Sequence, residues 1–147
     1  MMTLLRAHVE EMLAHAREAN PAECCGLIGG SIEEGEEGEE GEESIARSVY
    51  RLRNVARSPQ VAYEAAPSEL FAAQKRMRER GEEILAIYHS HPRSEEPQPS
   101  ETDVRLAYHP SAFYFIIGLS GTQATLRAFR INEREGRWEH IEYRIAD

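Results

Sequence analysis

The sequence predicts an α/β fold in which a mixed β-sheet is covered by helices. Strand and helix patterns alternate over the first two thirds of the chain, and strand patterns cluster at its end. A chain of 147 residues, 41% hydrophobic and 29% charged, has the size and composition of one ordinary globular domain. We therefore expect residues 1–147 to form a single domain around a central mixed sheet.

Each element is predicted from the spacing of its apolar residues. Apolar side chains three and four positions apart indicate helices, and short alternating or β-branched runs bounded by glycine indicate strands. Asn20 and Pro21 end the first helix, and Gly81 ends the second. The predicted elements are a helix at 4–19, strands at 24–30 and 44–55, a helix at 68–80, a strand at 84–91, a short helix at 100–108, and strands at 112–119, 124–131 and 140–145.

The negative charge of the chain is concentrated in one segment. Eight glutamates at 33–43 account for all but one of the nine net negative charges. The rest of the chain is nearly neutral, so it lacks the basic surface of a nucleic-acid-binding protein. A repeat of glycine and glutamate cannot bury apolar area, which predicts a disordered acidic insertion at 33–43. The insertion is either a solubilising loop or a docking segment for a basic partner or divalent cations.

Location and redox state are expected from simple features of the sequence. The longest apolar run, at 112–119, is far shorter than the roughly 18 residues of a membrane span. The first residues do not resemble a secretory signal, so we expect a cytoplasmic protein without membrane contact. Cys24 and Cys25 are neighbours and too close for an unstrained disulfide. One of them could act as a nucleophile, but adjacent cysteines in an apolar run are typical of buried side chains.

Two histidines indicate a metal site. His89 and His91 end the apolar strand at 84–91, and residues two apart in a strand point to the same face. Asp103 follows twelve positions later at the start of the next predicted helix. Two histidines and one carboxylate leave a fourth tetrahedral position for water, as in a catalytic zinc site. The other histidines, at positions 8, 15, 109 and 140, are expected at the surface.

Two further residues have both a structural and a chemical interpretation. Ser100 precedes a helix and stands three positions before Asp103, which is typical of a helix N-cap. The same hydroxyl could donate a hydrogen bond to an oxyanion. Hydrolysis also needs a base that is not a metal ligand, and Glu23, just before the strand at 24–30, is our candidate. The glutamates at 95, 96 and 101 are more simply solvated loop residues.

These residues resemble those of a known family, the JAMM or MPN+ zinc metallopeptidases, especially the small bacterial single-domain members. The glutamate, the two histidines and the serine–aspartate pair occur in the family's order, and the similarity extends from the first helix to the strand at 113–119. The segments that carry it are PAECCGLIGG at 21–30, RNVA at 53–56, YHSHP at 88–92 and PSETD at 99–103.

The resemblance implies a fold, a site and a substrate class. The fold would be a three-layer α-β-α, cytidine-deaminase-like JAB/MPN domain with a central mixed sheet. One Zn²⁺ per chain would be held by His89, His91 and Asp103 with water as fourth ligand, Glu23 would be the general acid/base, and Ser100 would stabilise the oxyanion. Relatives cleave peptide or isopeptide bonds after the C-terminal glycines of ubiquitin-like proteins. Bacterial members act on ubiquitin-like sulfur-carrier proteins, which we expect as the partner here.

One departure and one alternative accompany this interpretation. The family pattern has seven residues between the second histidine and the serine, whereas eight separate His91 from Ser100. A bulge at 95–98 would absorb the extra residue. The alternative function is a non-catalytic MPN-type module that binds a ubiquitin-like partner. A deaminase of the same fold would need a His-x-Glu motif and a pair of cysteines two residues apart, and neither is present.

Overall fold

A mixed sheet of eight strands forms the centre of the structure, a computed structural model that describes residues 1–34 and 41–147. The elements in chain order are β1 Met2–Leu5, α1 Arg6–Ala19, β2 Cys25–Glu34, β3 Glu42–Leu52, α2 Pro67–Glu79, β4 Glu83–His91, α3 Glu101–Arg105, β5 Phe113–Gly118, β6 Thr125–Asn132, β7 Arg137–Ile141 and β8 Tyr143–Ala146. The strands lie in the order β7-β6-β5-β4-β2-β3-β1-β8. β1 is parallel to β3 and β8, β4 is parallel to β5, and the remaining neighbours are antiparallel.

Helices cover both faces of the sheet. On one face, α1 buries Met12 and Ala16 in a core that includes Ile28, Tyr88 and Phe115. On the other face, α2 buries its own apolar residues against β2 and β3, in a cluster formed by Cys25, Leu27, Tyr50, Leu52, Ala73 and Met77. The prediction of a three-layer α/β fold with a central mixed sheet is therefore confirmed. No helix within the described residues is long and apolar enough to cross a membrane.

The sheet is curled, because its two edge strands are joined by a single residue. β7 and β8 lie at opposite ends of the strand order, and only Glu142 separates them in the chain. In a flat sheet, seven strand spacings of about 4.8 Å would place the edges roughly 34 Å apart. Two residue steps span at most about 7 Å. Tyr143 of β8 accordingly reaches across, donating a hydrogen bond from its hydroxyl to the Leu126 carbonyl of β6 at 2.7 Å.

The two ends of the chain differ from the prediction. The predicted helix at 4–19 begins only at Arg6, because Met2 and Leu4 alternate as buried residues of β1. The single strand predicted at 140–145 is divided at Glu142 between β7 and β8. In both places, pairing between distant parts of the chain decides the structure, and the local pattern does not reveal it.

The ends of the segment predicted to be disordered are paired strand residues. Glu33 lies opposite Glu43, and Glu34 lies opposite Glu42, at the outer end of the β2–β3 hairpin. Backbone pairing outweighs the repulsion between these solvent-exposed carboxylates, which water and salt screen. The bounds 33–43 are therefore too wide, and the middle of the predicted insertion, 35–40, lies outside the described residues.

The remaining predicted elements are confirmed with small changes in their bounds. α2 ends near Gly81, whose φ of +67° places it in the left-handed region that glycine adopts without strain. α3 is shorter than predicted and ends at Arg105. β4, which carries the two candidate histidines, lies between β2 and β5 near the middle of the sheet.

Candidate metal centre

His89 and His91 lie together at the end of β4. Their side chains share one face of the strand, and their Nε2 atoms are 3.1 Å apart. The side chain of His89 is buried, and that of His91 is 18% exposed. Burial lowers the pKa of His89 from its ordinary value, although Asp103 opposes this shift. His89 is therefore neutral near pH 7, which is the form that binds metal ions.

Asp103 reaches the same point from α3. Its Oδ2 atom is 3.1 Å from the Nε2 atoms of both His89 and His91. Ser100 fixes this carboxylate through a capping box: its backbone N–H donates to Oδ2 at 2.8 Å, and its Oγ accepts from the Asp103 N–H at 3.0 Å. Burial alone would raise the pKa of Asp103, but hydrogen bonds from the two histidines lower it far below its ordinary value.

The three side-chain atoms fit a tetrahedral metal ion. Nitrogen and oxygen ligands about 2.0–2.1 Å from zinc are about 3.3–3.4 Å from one another in a regular tetrahedron. The triangle formed by the two Nε2 atoms and Oδ2 has edges of 3.1 Å, so it is close to one face of such a tetrahedron. The buried Nδ1 of His89 has no hydrogen-bond partner in the described part of the chain. The donors are therefore of the types, and at the separations, that zinc binds.

Glu23 is adjacent to this triangle. It precedes β2, is 6% exposed, and brings a carboxylate oxygen within 4.8 Å of the ring nitrogens of His89 and His91. Asp103 and Glu23 therefore both bring a carboxylate oxygen close to the two histidines, Asp103 at 3.1 Å from both Nε2 atoms. Burial raises the pKa of Glu23 to about 7. A carboxyl group with this pKa can both accept and release a proton near neutral pH.

The loop between His91 and Ser100 accommodates its extra residue by packing against β5 and β6. The Ser94 carbonyl accepts from the Ser120 N–H, and the Pro97 carbonyl accepts from the Arg127 guanidinium at 2.9 Å. Gly118 allows this contact, since a Cβ there would lie 2.5 Å from the Ser94 oxygen. The loop returns Ser100 and Asp103 to the histidines despite the longer spacing.

An apolar groove adjoins the centre. It encloses about 310 Å³ beside Ser100 and Asp103. Val61 and Tyr108, which line it, are 69% and 68% exposed, so the groove presents apolar side chains to solvent. Tyr63 also lines the groove, and its ring stacks on His89 with 4.5 Å between ring centroids. The groove could hold an extended chain next to the histidine–aspartate triangle.

Sequence reasoning missed Tyr63, and it gave Asn54 no role. Tyr63 lies in the long connection between β3 and α2, where no pattern identifies it. Asn54 belongs to the RNVA segment, but its importance is visible only in its hydrogen bonds to Glu23 and to the connection. His15 is also not a free surface residue, because its Nδ1 is 2.7 Å from the hydroxyl of buried Tyr88.

The cysteines are poorly suited to nucleophilic chemistry. Both are buried and unbridged. Burial raises the pKa of Cys24 to about 11 and that of Cys25 to about 12, so both are thiols near neutral pH. The thiolate is the reactive form. These residues behave as small apolar side chains of the sheet.

Known proteins are similar to this chain in sequence and in fold. A desampylase of Haloferax volcanii is 35% identical over 119 residues, covering 76% of this chain and 76% of the relative. The CysO-cysteine peptidase of Mycobacterium tuberculosis is 34% identical over 124 residues, covering 84% of this chain and 77% of the relative. The solution structure of a Desulfitobacterium hafniense protein is 36% identical, with a TM-score of 0.83 over 100% of this chain and 94% of that one.

The family assignment rests on most of the chain. Residues 5–132 match the Prok-JAB family, described as prokaryotic homologs of the JAB domain. This range contains α1, the two histidines of β4, Asp103 and the strands up to β6. The chain is therefore a member of the Prok-JAB family.

Proposed function

We propose that this protein is a zinc-dependent metallopeptidase that hydrolyses a peptide or isopeptide bond after the C-terminal glycines of a ubiquitin-like sulfur-carrier protein. The observation that carries the proposal is the convergence of two Nε2 atoms and one carboxylate oxygen, at 3.1 Å from one another, beside a second buried carboxyl group. The relatives named as a desampylase and a CysO-cysteine peptidase support the substrate class.

His89, His91 and Asp103 would hold one Zn²⁺ per chain, with water as its fourth ligand. A zinc ion supplies a Lewis acid for the scissile carbonyl and lowers the pKa of a bound water to about 7. The neutral imidazole of His89 and the ionised carboxylate of Asp103 are already in the protonation states that metal binding requires. The hydrogen bond from the Ser100 N–H to Oδ2 holds this carboxylate in place.

Glu23 would take the proton of the attacking water and transfer it to the leaving amine. Its carboxylate lies within 4.8 Å of ring nitrogens of both histidines, and its pKa of about 7 suits it to exchange protons near neutral pH. Ser100 Oγ already accepts the Asp103 N–H, and its own hydroxyl hydrogen can therefore donate to the oxyanion that develops on the substrate.

The apolar groove would bind the tail that precedes the scissile bond. It leads to Ser100 and Asp103, and its exposed Val61 and Tyr108 offer contact area to an extended peptide. Tyr63, which lines the groove and stacks on His89, would lie beside the glycines that precede the scissile bond.

The cytoplasmic location of the protein remains a prediction.

The decisive experiment compares the wild-type chain with Glu23→Gln. The substrate is a diglycine-ended sulfur-carrier protein fused to a short peptide. We expect both proteins to contain about one zinc per chain, and only the wild type to release the peptide. Retained turnover in Glu23→Gln would remove Glu23 from the mechanism.

Chelation distinguishes the enzyme from the alternative, a non-catalytic binding module. A chelator should abolish hydrolysis and leave the circular-dichroism spectrum unchanged, because eight paired strands and two apolar clusters hold the fold without a metal. A zinc-loaded protein that binds the carrier without cleaving it, and that unfolds on chelation, would favour the module.

A further inference from the structure

The side chain of Asn54 uses its whole hydrogen-bonding capacity beside the candidate centre. Its Nδ2 donates to the carbonyls of Glu23 at 2.9 Å and Ala62 at 3.0 Å, and more weakly to that of Pro59 at 3.5 Å. Its Oδ1 accepts from the N–H groups of Ala56 at 2.9 Å and Glu64 at 3.0 Å. A side-chain amide offers two N–H donors and an oxygen with two lone pairs. Carbonyls on one side and N–H groups on the other fix its orientation, since a flipped amide would lose these bonds.

These bonds connect Glu23 with the loop that covers His89. Ala62 and Glu64 flank Tyr63 in the chain, so Asn54 holds the backbone on both sides of the ring that stacks on His89. The Glu23 N–H also donates to a loop carbonyl, that of Pro59, at 2.7 Å. Glu23 and the loop therefore form one hydrogen-bonded unit with Asn54 in its middle.

Asn54 acts at a distance from the metal-binding atoms. No hydrogen bond in the described part of the chain joins it to His89, His91 or Asp103. Its contact with Glu23 is made through the backbone, so the Glu23 carboxylate remains free. Displacing a catalytic group by about 1 Å can lower the rate roughly 100-fold. A residue that fixes the Glu23 backbone therefore has leverage on the rate without touching the substrate.

We propose that Asn54 is a positioning residue that holds Glu23 close to the two histidines. It also couples Glu23 to the loop at 59–64, which contains Tyr63. This inference rests on the proposed function, in which Glu23 is the proton-transfer group. It predicts that loss of the Asn54 amide lowers kcat and leaves metal binding intact. KM should rise as well, because Ala62 and Glu64, which Asn54 holds, also line the substrate groove.

Two variants of the zinc-loaded chain distinguish a role of Asn54 in positioning Glu23 from a role in ordering the loop alone. Asn54→Ala removes all five of the hydrogen bonds that this side chain makes in the described residues. Asn54→Asp keeps the acceptor side toward Ala56 and Glu64 but has no N–H for the carbonyls of Glu23 and Ala62. We expect kcat to fall at least 20-fold in both variants, with about one zinc per chain. KM should rise more in Asn54→Ala, which frees the groove wall at both Ala62 and Glu64, than in Asn54→Asp, which keeps the bond to Glu64.

Amide hydrogen exchange measured by NMR gives a readout that does not depend on activity. The Glu23 N–H should lose protection in both variants. The Ala56 and Glu64 N–H groups should lose protection only in Asn54→Ala. The matched control is Asn132→Ala, which removes another turn-stabilising amide: its Oδ1 accepts from the Glu135 N–H at 3.1 Å, between β6 and β7. This control should leave kcat and the Glu23 protection unchanged.

Several results would overturn the inference. If Asn54→Asp recovers wild-type kcat, ordering of the loop is sufficient, and the bond to Glu23 has no catalytic role. Wild-type kcat in Asn54→Ala would have the same meaning. If Asn54→Ala does not fold, Asn54→Asp carries the test. A wild-type chain that binds zinc but hydrolyses no carrier conjugate contradicts the proposed function itself, and this result is obtained without any Asn54 variant.

Discussion

The candidate centre combines two carboxyl groups whose surroundings shift their pKa values in opposite directions. Asp103 receives hydrogen bonds from both histidines and from the Ser100 N–H, so its pKa lies far below the ordinary value. Burial raises the pKa of Glu23, whose carboxylate lies within 4.8 Å of ring nitrogens of both histidines, to about 7. One carboxylate is thereby suited to bind a cation and the other to carry a proton.

The ligand assignment predicts the metal content of three proteins. Wild-type protein purified without added metal should contain about one zinc per chain, and His89→Ala and Asp103→Ala prepared in the same way should contain less than about one tenth of this amount. Each substitution removes one atom of a three-atom site. The measurement is elemental analysis, with His140→Ala as control. Zinc retained by Asp103→Ala would show that Glu23 is the third ligand.

Glu23 also predicts a pH-dependent stability in the metal-free protein. Folding raises the pKa of this carboxyl from 4.5 to about 7, so the folded protein holds the proton more tightly than the unfolded chain does. The resulting contribution to stability is complete below about pH 4.5 and is lost as the pH rises through 7. Metal-free Glu23→Gln should therefore be more stable than wild type at pH 8, by at most about 3 kcal/mol, and equally stable near pH 4.5.

Urea unfolding at several pH values measures this difference. Titrating groups that do not interact with Glu23 affect both proteins alike and cancel in the comparison. The control is Glu133→Gln, an exposed glutamate between β6 and β7. If the difference in the free energy of unfolding between wild type and Glu23→Gln does not vary with pH, folding does not raise the pKa of the Glu23 carboxyl.

At the scale of elements, the packing of the loop at 92–99 against β5 determines whether α3 reaches the histidines. Gly118→Ala would place a Cβ 2.5 Å from the Ser94 carbonyl oxygen and 2.9 Å from Pro97, and the backbone would have to move. We expect the free energy of unfolding to fall by about 1–3 kcal/mol. Zinc affinity should fall as well, because Ser100 and Asp103 follow the loop.

Gly121→Ala is the matched control for this experiment. A Cβ at position 121 would lie 3.1 Å from the Cγ of exposed Glu95, a flexible side chain that can rotate away. Its effects on stability and zinc affinity should both be small. Equal effects of the two substitutions would show that the loop contact has no special role in presenting Asp103.

The sequence predicted the elements and residues whose signals are local. The helical spacing of α2, the apolar strand β4 and the HxH motif at its end were all visible without a structure. β1 and the division at Glu142 were missed, since pairing between Met2 and Tyr143 joins residues at opposite ends of the chain. Asn54 and Tyr63 were missed for a related reason, because their roles depend on a hydrogen-bond network and a ring contact that a residue pattern does not encode.

At the scale of the whole molecule, we expect the acidic segment at 33–43 and the candidate metal centre to work independently of each other. Glu34 lies opposite Glu42, so replacing residues 35–41 by Asn-Gly gives a two-residue hairpin turn that preserves this pairing. The replacement removes four glutamates. We expect unchanged turnover and unchanged affinity for the carrier protein, measured at low salt, where surface charges act most strongly. A clear loss of affinity would identify the segment as a docking element for a basic partner.

The closure of the curled sheet has a consequence for how the chain folds. Met2 pairs with Tyr143 and Leu5 with Ala146, so β8 completes the edge of the sheet beside β1, from which it is far removed in the chain. Loop-closure entropy makes such distant pairings slow relative to local ones. We therefore expect β1 of a nascent chain to lack this outer neighbour until β8 has been synthesised. Removing the last five residues should slow refolding less than it speeds unfolding, because the β1–β8 seam forms after the main folding barrier.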